Sequence, residues 1–360
     1  MIPVLIVTVF VGSGKTTLIR RILGDPAFGR TAVIVNEFGE IGLDHELIAA
    51  SDETLLALTS GCLCCAVRSD LINTLLDLKA RREAGYITYD RVLIETSGLA
   101  DPTPILQALI ADADVVRGHR PGRVVTVVDA VHGESALDNY VEARRQVALA
   151  ERVVLSKTDI AGPSAALRAR VGELNPAAPM LTAADVLPQR LLGVDADAAS
   201  VAPIPSSNMS SDPAVDQNWN DAGQQPMLSS PHARRAFYGV HQHSQGIVSF
   251  SLQRDRPVPA LALTLFLEAM AEHCGERLLR MKGLVDVAEM PGEPAVIHGV
   301  KHVFAAPEFL SGWPSADHTT RLVFITQGVP RHFPARLLEA VEVEVMEEIL
   351  TAQGKQGGHS

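Results

Sequence analysis

The sequence predicts an α/β fold, in which a mainly parallel, doubly wound sheet is followed by a smaller α+β domain. Three observations carry this. Short apolar, β-branched runs alternate with helical patterns through residues 1–190, the rhythm of strand–helix–strand units. Most of those runs are continuously apolar, as strands covered on both faces are. Composition then turns rich in Ser, Asn, Asp, Gln and Pro from about Ala199 to Pro231, and order resumes at Gly246.

Taken in order, the strands are expected at Val4–Val9, Thr31–Val35, Thr54–Leu58, Arg91–Glu95, Arg123–Val128 and Arg152–Leu155. Helical patterns fall between them at Thr16–Leu23, Arg68–Ala84, Pro102–Ile110, Glu134–Ala150 and Ser164–Leu174. These make a first domain over 1–195. The polar stretch has no apolar periodicity, so 196–245 reads as a linker, with a short H-x-H at His241 and His243. The second domain, 246–350, offers strands at Ile247–Leu252, Leu278–Glu289, Pro294–Phe304 and Leu322–Thr326. Its helices are expected at Pro259–His273 and Pro334–Leu350. A Gly-containing tail, 351–360, is expected to fray.

Composition narrows the function. The 360 residues are 47% hydrophobic and 20% charged, which excludes a wholly disordered or fibrous chain. The formal net charge is −11, from 31 basic and 42 acidic side chains. A nucleic-acid binder carries a basic balance or stripe, and aromatics at 4% leave little for base stacking. No apolar run approaches the roughly 20 residues that span a bilayer. Residues 1–11 lack a basic leader and a cleavage site, so a cytoplasmic protein is expected.

Thr8-Val9-Phe10-Val11-Gly12-Ser13-Gly14-Lys15-Thr16-Thr17 follows a buried strand and opens a helix, the setting a P-loop requires. Glycines let backbone N–H groups turn to phosphates, and the helix N-terminus adds partial positive charge. Lys15 would reach the β- and γ-phosphates, and the Thr16 hydroxyl would bind Mg²⁺. The pattern G-x-x-x-x-G-K-[ST] calls for glycine where this chain has Val9. A β-branched residue takes positive φ only at a cost, so Val9 would strain the loop if that conformation were needed there.

Gly61-Cys62-Leu63-Cys64-Cys65 clusters three of the four cysteines before a predicted helix. Thiolates are soft ligands for Zn²⁺ or Cu(I), and a helix N-terminus with Arg68 nearby favours the thiolate. Three sulfurs leave a tetrahedral site one ligand short, which suits an ion that must be released. Buried cysteines can also merely pack, and a redox role lacks a C-x-x-C spacing on a thioredoxin-like unit. Cys274 stands alone and reads as structural. Glu37, Glu40 and Asp44 lie in a glycine-interrupted loop after the second strand, either solvated or ordered around a nucleotide and its metal. Glu95 ends a buried strand, and Gly98 after it permits close approach to a γ-phosphate. In Ser156-Lys157-Thr158-Asp159, the Asp159 carboxylate can accept from the N1–H and 2-amino group of guanine, donors that adenine lacks. Ser156 departs from the usual Asn.

With these residues in place, the chain resembles the CobW-type family of metal-handling P-loop GTPases. The matching segments, GSGKTT, VNEFGEIGLD, GCLCC, ETSGLADP, VVDAV and SKTD, occur in family order. Arg280 to Gly283, Val300 to His302 and Leu322 to Ile325 match the family's C-terminal domain. The resemblance implies a P-loop NTPase fold that binds GTP and Mg²⁺ through Gly12, Ser13, Gly14, Lys15, Thr16 and Thr17. Glu37 becomes a metal contact and Gly98 a phosphate sensor. Lys157 and Asp159 hold guanine. Lys15, Thr16 and Glu95 form the catalytic set, and Cys62, Cys64 and Cys65 the transition-metal motif. It further implies slow GTP hydrolysis and delivery of zinc, with cobalt and iron left open, to a client metalloprotein. Two other readings stand beside it: a nucleotide-sensing metal-binding regulator whose turnover Val9 impairs, and an ATP-using P-loop enzyme, against which Asp159 argues. The oligomeric state is not set by the sequence, and a homodimer is left open.

Overall fold

The structure, a computed structural model, describes residues 1–10, 14–35, 55–57, 65–98, 100–184 and 246–356. The expected linker, Gly12, Ser13, Glu37, Glu40, Asp44, Cys62, Cys64, His241 and His243 lie outside them.

In the first domain β1 (Ile2–Val9) leads to α1 (Lys15–Leu23), then β2 (Thr31–Val35), β3 (Leu55–Ala57) and α2 (Cys65–Glu83). Next come β4 (Arg91–Glu95), α3 (Thr103–Ala111), α4 (Ala113–Val116), β5 (His119–Asp129), α5 (Gly133–Asn139) and α6 (Val141–Leu149). The domain closes with β6 (Arg152–Ser156), α7 (Ala165–Leu174) and β7 (Met180–Thr182). Among the described residues the sheet runs β3-β2-β4-β1-β5-β6-β7, and every strand pair is parallel. That agrees with the apolar strands: Val4, Ile6, Val92 and Ile94 face one layer, and Leu5, Val7, Leu93 and Val125 face α1 on the other.

Two differences from the sequence expectation have local causes. The helix expected over Glu134–Ala150 is two helices, broken at Tyr140, whose backbone is extended (φ −122°, ψ 122°). Arg144 Nη1 donates to the terminal carbonyls of Leu137 (2.7 Å) and Asp138 (3.0 Å), satisfying the end of α5. The Tyr140 ring packs on Phe10 with centroids 4.8 Å apart. The edge strand β7 is only partly buried, and its three residues are too short to show a period.

The second domain orders β8 (Ile247–Arg254), α8 (Ala260–Cys274), β9 (Leu278–Val285), β10 (Ala295–Val300), β11 (Val303–Phe304), β12 (Glu308–Phe309), β13 (Thr320–Gln327) and α9 (Phe333–Gln356). Its sheet is antiparallel, β11-β10-β9-β13-β8, with β12 added along β10. The expected strand Pro294–Phe304 is instead a hairpin that turns at Lys301, in the left-handed region (φ 54°). α9 runs past Leu350 to Gln356.

The period-2 alternation of the strands decides how the two domains meet. Leu322 and Phe324 of β13 join Phe266, Met270 and Cys274 of α8 in a core of their own. Ile325, Leu279, Val300 and Ile247 face the other way and merge into the apolar core of the first domain. Cys274 is buried in the second domain's own core, as its solitary position suggested, and burial pushes its thiol pKa up.

Candidate nucleotide site

Parallel strands deliver their C-terminal ends to one edge of the sheet, and ligands of open α/β sheets bind outside that edge. β1 ends there at Val9, followed by Phe10. Val9 is an extended strand residue, 1% exposed and paired with Val127 of β5. Its backbone is not in the positive-φ region, so the strain expected of a β-branched residue here does not arise. Gly14 is left-handed (φ 79°, ψ 31°), a conformation that glycine adopts without penalty. Gly14 caps α1 with no side-chain hydrogen bond to the helix's first N–H groups. The N–H groups at a helix start suit an anion. Lys15 and Thr16 occupy the first turn of α1, and Thr17 beside them is exposed.

β4 brings Glu95 to the same edge, 1% exposed, in register with Val7 of β1 and Val35 of β2. The chain then turns: the Thr96 N–H donates to Val7 O (3.1 Å) and the Ala100 N–H to Ser97 O (3.0 Å), with Gly98 within the turn. Asp101, in the same motif, serves the next helix, its Oδ1 accepting from the Thr103 N–H at 2.9 Å.

β5 and β6 complete the edge. Ser156 ends β6, and its Cβ lies 4.0 Å from where a side chain on Gly14 would begin, so this position abuts the phosphate loop. Lys157 is left-handed (φ 54°), a conformation that costs a non-glycine residue about 1 kcal/mol. Its Nζ donates to Asp129 Oδ2 at 2.7 Å. Burial pushes the Asp129 carboxyl up. The Lys157 ammonium and the N–H groups of Val131 and His132 outweigh that and hold it below the usual range. The N–H groups of Ile160 and Ala161 return to Lys157 O, and that turn presents Asp159 to solvent. The fold therefore gathers Gly14, Lys15, Thr16, Thr17, Glu95, Gly98, Lys157 and Asp159 on one edge. Cys65 opens α2, the helix after β3. Among the described residues no group of three His, Cys, Asp or Glu side chains could hold a metal. No described helix is long and apolar enough to cross a membrane.

Sequence reasoning assigned no role to two residues of this edge. Asp129 is a buried carboxylate ending the apolar run Arg123–Val128, and that polar stop was its signal. Gln146 is a wholly buried amide between Ala143 and Val147 on α6. Its Nε2 donates to Gly98 O (3.3 Å) and Ala100 O (2.9 Å).

Comparison with known proteins agrees with this geometry. Residues 3–182 match the CobW/HypB/UreG nucleotide-binding domain, and residues 247–342 match the cobalamin synthesis protein CobW C-terminal domain. The chain is 30% identical over 331 residues to the zinc chaperone YjiA of Escherichia coli, covering 91% of this chain and 95% of that protein. It is 38% identical over 237 residues to the zinc chaperone CobW of Pseudomonas aeruginosa, 55% of this chain and 61% of the other. The crystal structure of Zn(II)-bound YjiA GTPase from E. coli superposes with a TM-score of 0.62 over 94% of this chain and 98% of that one, at 24% identity, and so shares the fold. With a P-loop edge on a parallel sheet, an antiparallel C-terminal sheet and both domain matches in order, the chain belongs to the CobW family of nucleotide-binding proteins.

Proposed function

We propose that this protein is a GTP-dependent metallochaperone: a slow P-loop GTPase that binds a transition metal, zinc first, at Cys62, Cys64 and Cys65 and releases it to a client metalloprotein on hydrolysis. The observation that carries the reading is the convergence of the α1 N-terminus, Glu95, Gly98 and the Lys157–Asp159 turn on one sheet edge. The two relatives, both zinc chaperones, and the Zn(II)-bound YjiA GTPase structure support the cargo and the nucleotide.

The donor set fits the expected groups. The N–H groups of the first turn of α1 and Lys15 would bind the β- and γ-phosphates. Thr16 would hold Mg²⁺, whose role is to neutralise charge between the phosphates, with Glu37 contributing from the loop after β2. Asp159, exposed after β6, would accept from guanine, while the Asp129 carboxylate fixes Lys157 beside it. Glu95 sits at the end of β4 next to the phosphate loop and would orient the groups around the γ-phosphate. The thiolates supply soft ligands for the cargo.

Calorimetric titration of reduced protein with zinc tests this in the apo, Mg-GDP and Mg-GTPγS states. The expected outcome is at least tenfold tighter zinc with the triphosphate analogue, a coupling of about 1.4 kcal/mol. Equal affinity in all three states would sink the chaperone reading. The regulator alternative rested on a strained Val9, and the extended backbone at Val9 removes that ground.

A further inference from the structure

A wholly buried amide is costly unless its hydrogen bonds are made. Gln146 is 0% exposed, and both protein groups facing its terminal nitrogen are carbonyls, those of Gly98 and Ala100. Two acceptors require the NH₂ end to face the loop. That leaves Oε1 on the other side, where it has no partner among the described residues, and Gln146 borders a cavity of about 140 Å³ shared with Phe10, Asp129, His132 and Tyr140. The helix that carries Gln146 is itself pinned. The Gln146 carbonyl accepts from Thr126 Oγ1 of β5 at 2.7 Å, and one turn further the Leu149 carbonyl accepts from Arg280 of β9 at 2.7 Å. Gln146 thus projects from a fixed helix onto the one turn that joins Glu95 to α3.

We propose that Gln146 is the positioning residue of the phosphate-sensing turn. By donating to two carbonyls that flank position 99, it holds the turn after β4 in the arrangement in which Gly98 meets a γ-phosphate. It touches neither nucleotide nor metal and acts through the backbone of Gly98 and Ala100. The inference rests on the GTPase reading above. It distinguishes triphosphate from diphosphate, because only the triphosphate reaches that turn.

Two apolar variants remove the donors, Gln146→Met and Gln146→Leu. Thr126→Val removes one of the two helix anchors, leaving Arg280 to hold the helix, and does not touch the turn. Binding of GDP and of GTPγS is measured for each full-length protein by calorimetry in Mg²⁺. The expected result is a GTPγS affinity lowered about tenfold in both Gln146 variants, with GDP affinity within twofold of wild type. Thr126→Val is expected to leave the ratio of the two affinities unchanged. A purely structural role would move both nucleotides together, so a parallel loss, no loss, or the same ratio change in Thr126→Val would overturn the assignment. If one Gln146 variant does not fold, the other decides. A wild type that binds no guanine nucleotide would overturn the GTPase reading and the inference with it. A wild type that binds both, beside unchanged variants, would overturn the inference alone.

Discussion

Val9 shows why a motif position has to be read together with its backbone. A valine in the place of a P-loop glycine matters only if that place needs positive φ. Here the residue pairs with Val127 as the last rung of β1, and Gly14 bears the left-handed turn. Val9→Gly is therefore expected to leave GTP turnover within twofold of wild type. It should lower stability by about 2–4 kcal/mol, because a buried side chain is lost and glycine enters a strand. Steady-state turnover and urea unfolding check both halves, and a steep gain in turnover would show that valine impairs the loop. Two buried histidines make a second residue-scale case. Burial, with Lys79, Arg82 and the chain's amino group adding to it, pushes His119 from its ordinary 6.5 down to about 4. Burial beside Lys282 and Arg280 pushes His298 to about 3, with Glu151 opposing. Both stay neutral in the fold, while the unfolded chain takes up protons as pH drops through 6.5. Their contribution is complete above that pH and is lost as pH falls towards 4. Each adds a slope of up to about 1.4 kcal/mol per pH unit. Unfolding free energies measured from pH 7 to pH 4 should show this slope, and His119→Gln should flatten it relative to wild type.

At the scale of elements, β9 carries the sharpest packing constraint. Gly283 of β9 sits directly against β13: an added Cβ would overlap the Arg321 carbonyl oxygen and come within 2.8 Å of Leu322 Cα. Neither atom belongs to a flexible side chain, so one strand would have to shift. Gly283→Ala is expected to destabilise the C-terminal domain by about 3 kcal/mol or more, within the range of overpacking. Urea unfolding followed by circular dichroism would register it, and a variant as stable as wild type would refute the close approach. The sequence offered Gly283 only as part of a matching segment, since the neighbour that excludes a side chain lies in another strand. The break at Tyr140 was hidden for the same reason. Residues 134–150 carry a good helical pattern throughout, and it is the Phe10 ring and the Arg144 guanidinium that make two helices preferable.

For the whole molecule, a cluster of opposite charges joins the two domains. Glu151 lies between α6 and β6, and its Oε1 accepts from Arg280 Nη2 and Lys282 Nζ, both at 2.8 Å. Burial alone would raise its pKa, but the Lys282 and Arg280 charges hold the carboxyl well below the usual range. Gln107 adds a weaker bond to the Val300 carbonyl at 3.4 Å. Removing one member leaves uncompensated charge at the interface, so Glu151→Ala should cost about 3 kcal/mol. It should also separate one unfolding transition into two as the domains lose their joint core. Differential scanning calorimetry distinguishes that from a single unchanged transition, which would show that the ion pairs contribute little.

The parallel sheet, the strand-to-helix setting of Gly14 at its edge, the turn after β6 and a separate α+β second domain were legible in the sequence, though not that domain's antiparallel order. Each is written in a local pattern, as an apolar run, a glycine turn before a helix or a charged residue closing a strand. The sequence also placed Glu95 and Gly98 after one predicted strand and Lys157 and Asp159 after another, and the ends of parallel strands meet on one side of the sheet. The tertiary structure decided what depends on pairs far apart in the chain. It set Asp129 against Lys157, Gln146 against the Gly98 turn, and Glu151 against Arg280 and Lys282. Such contacts leave no period and no spacing, since the chain closes them only after the sheet has formed, and only then does burial determine which polar groups must find each other.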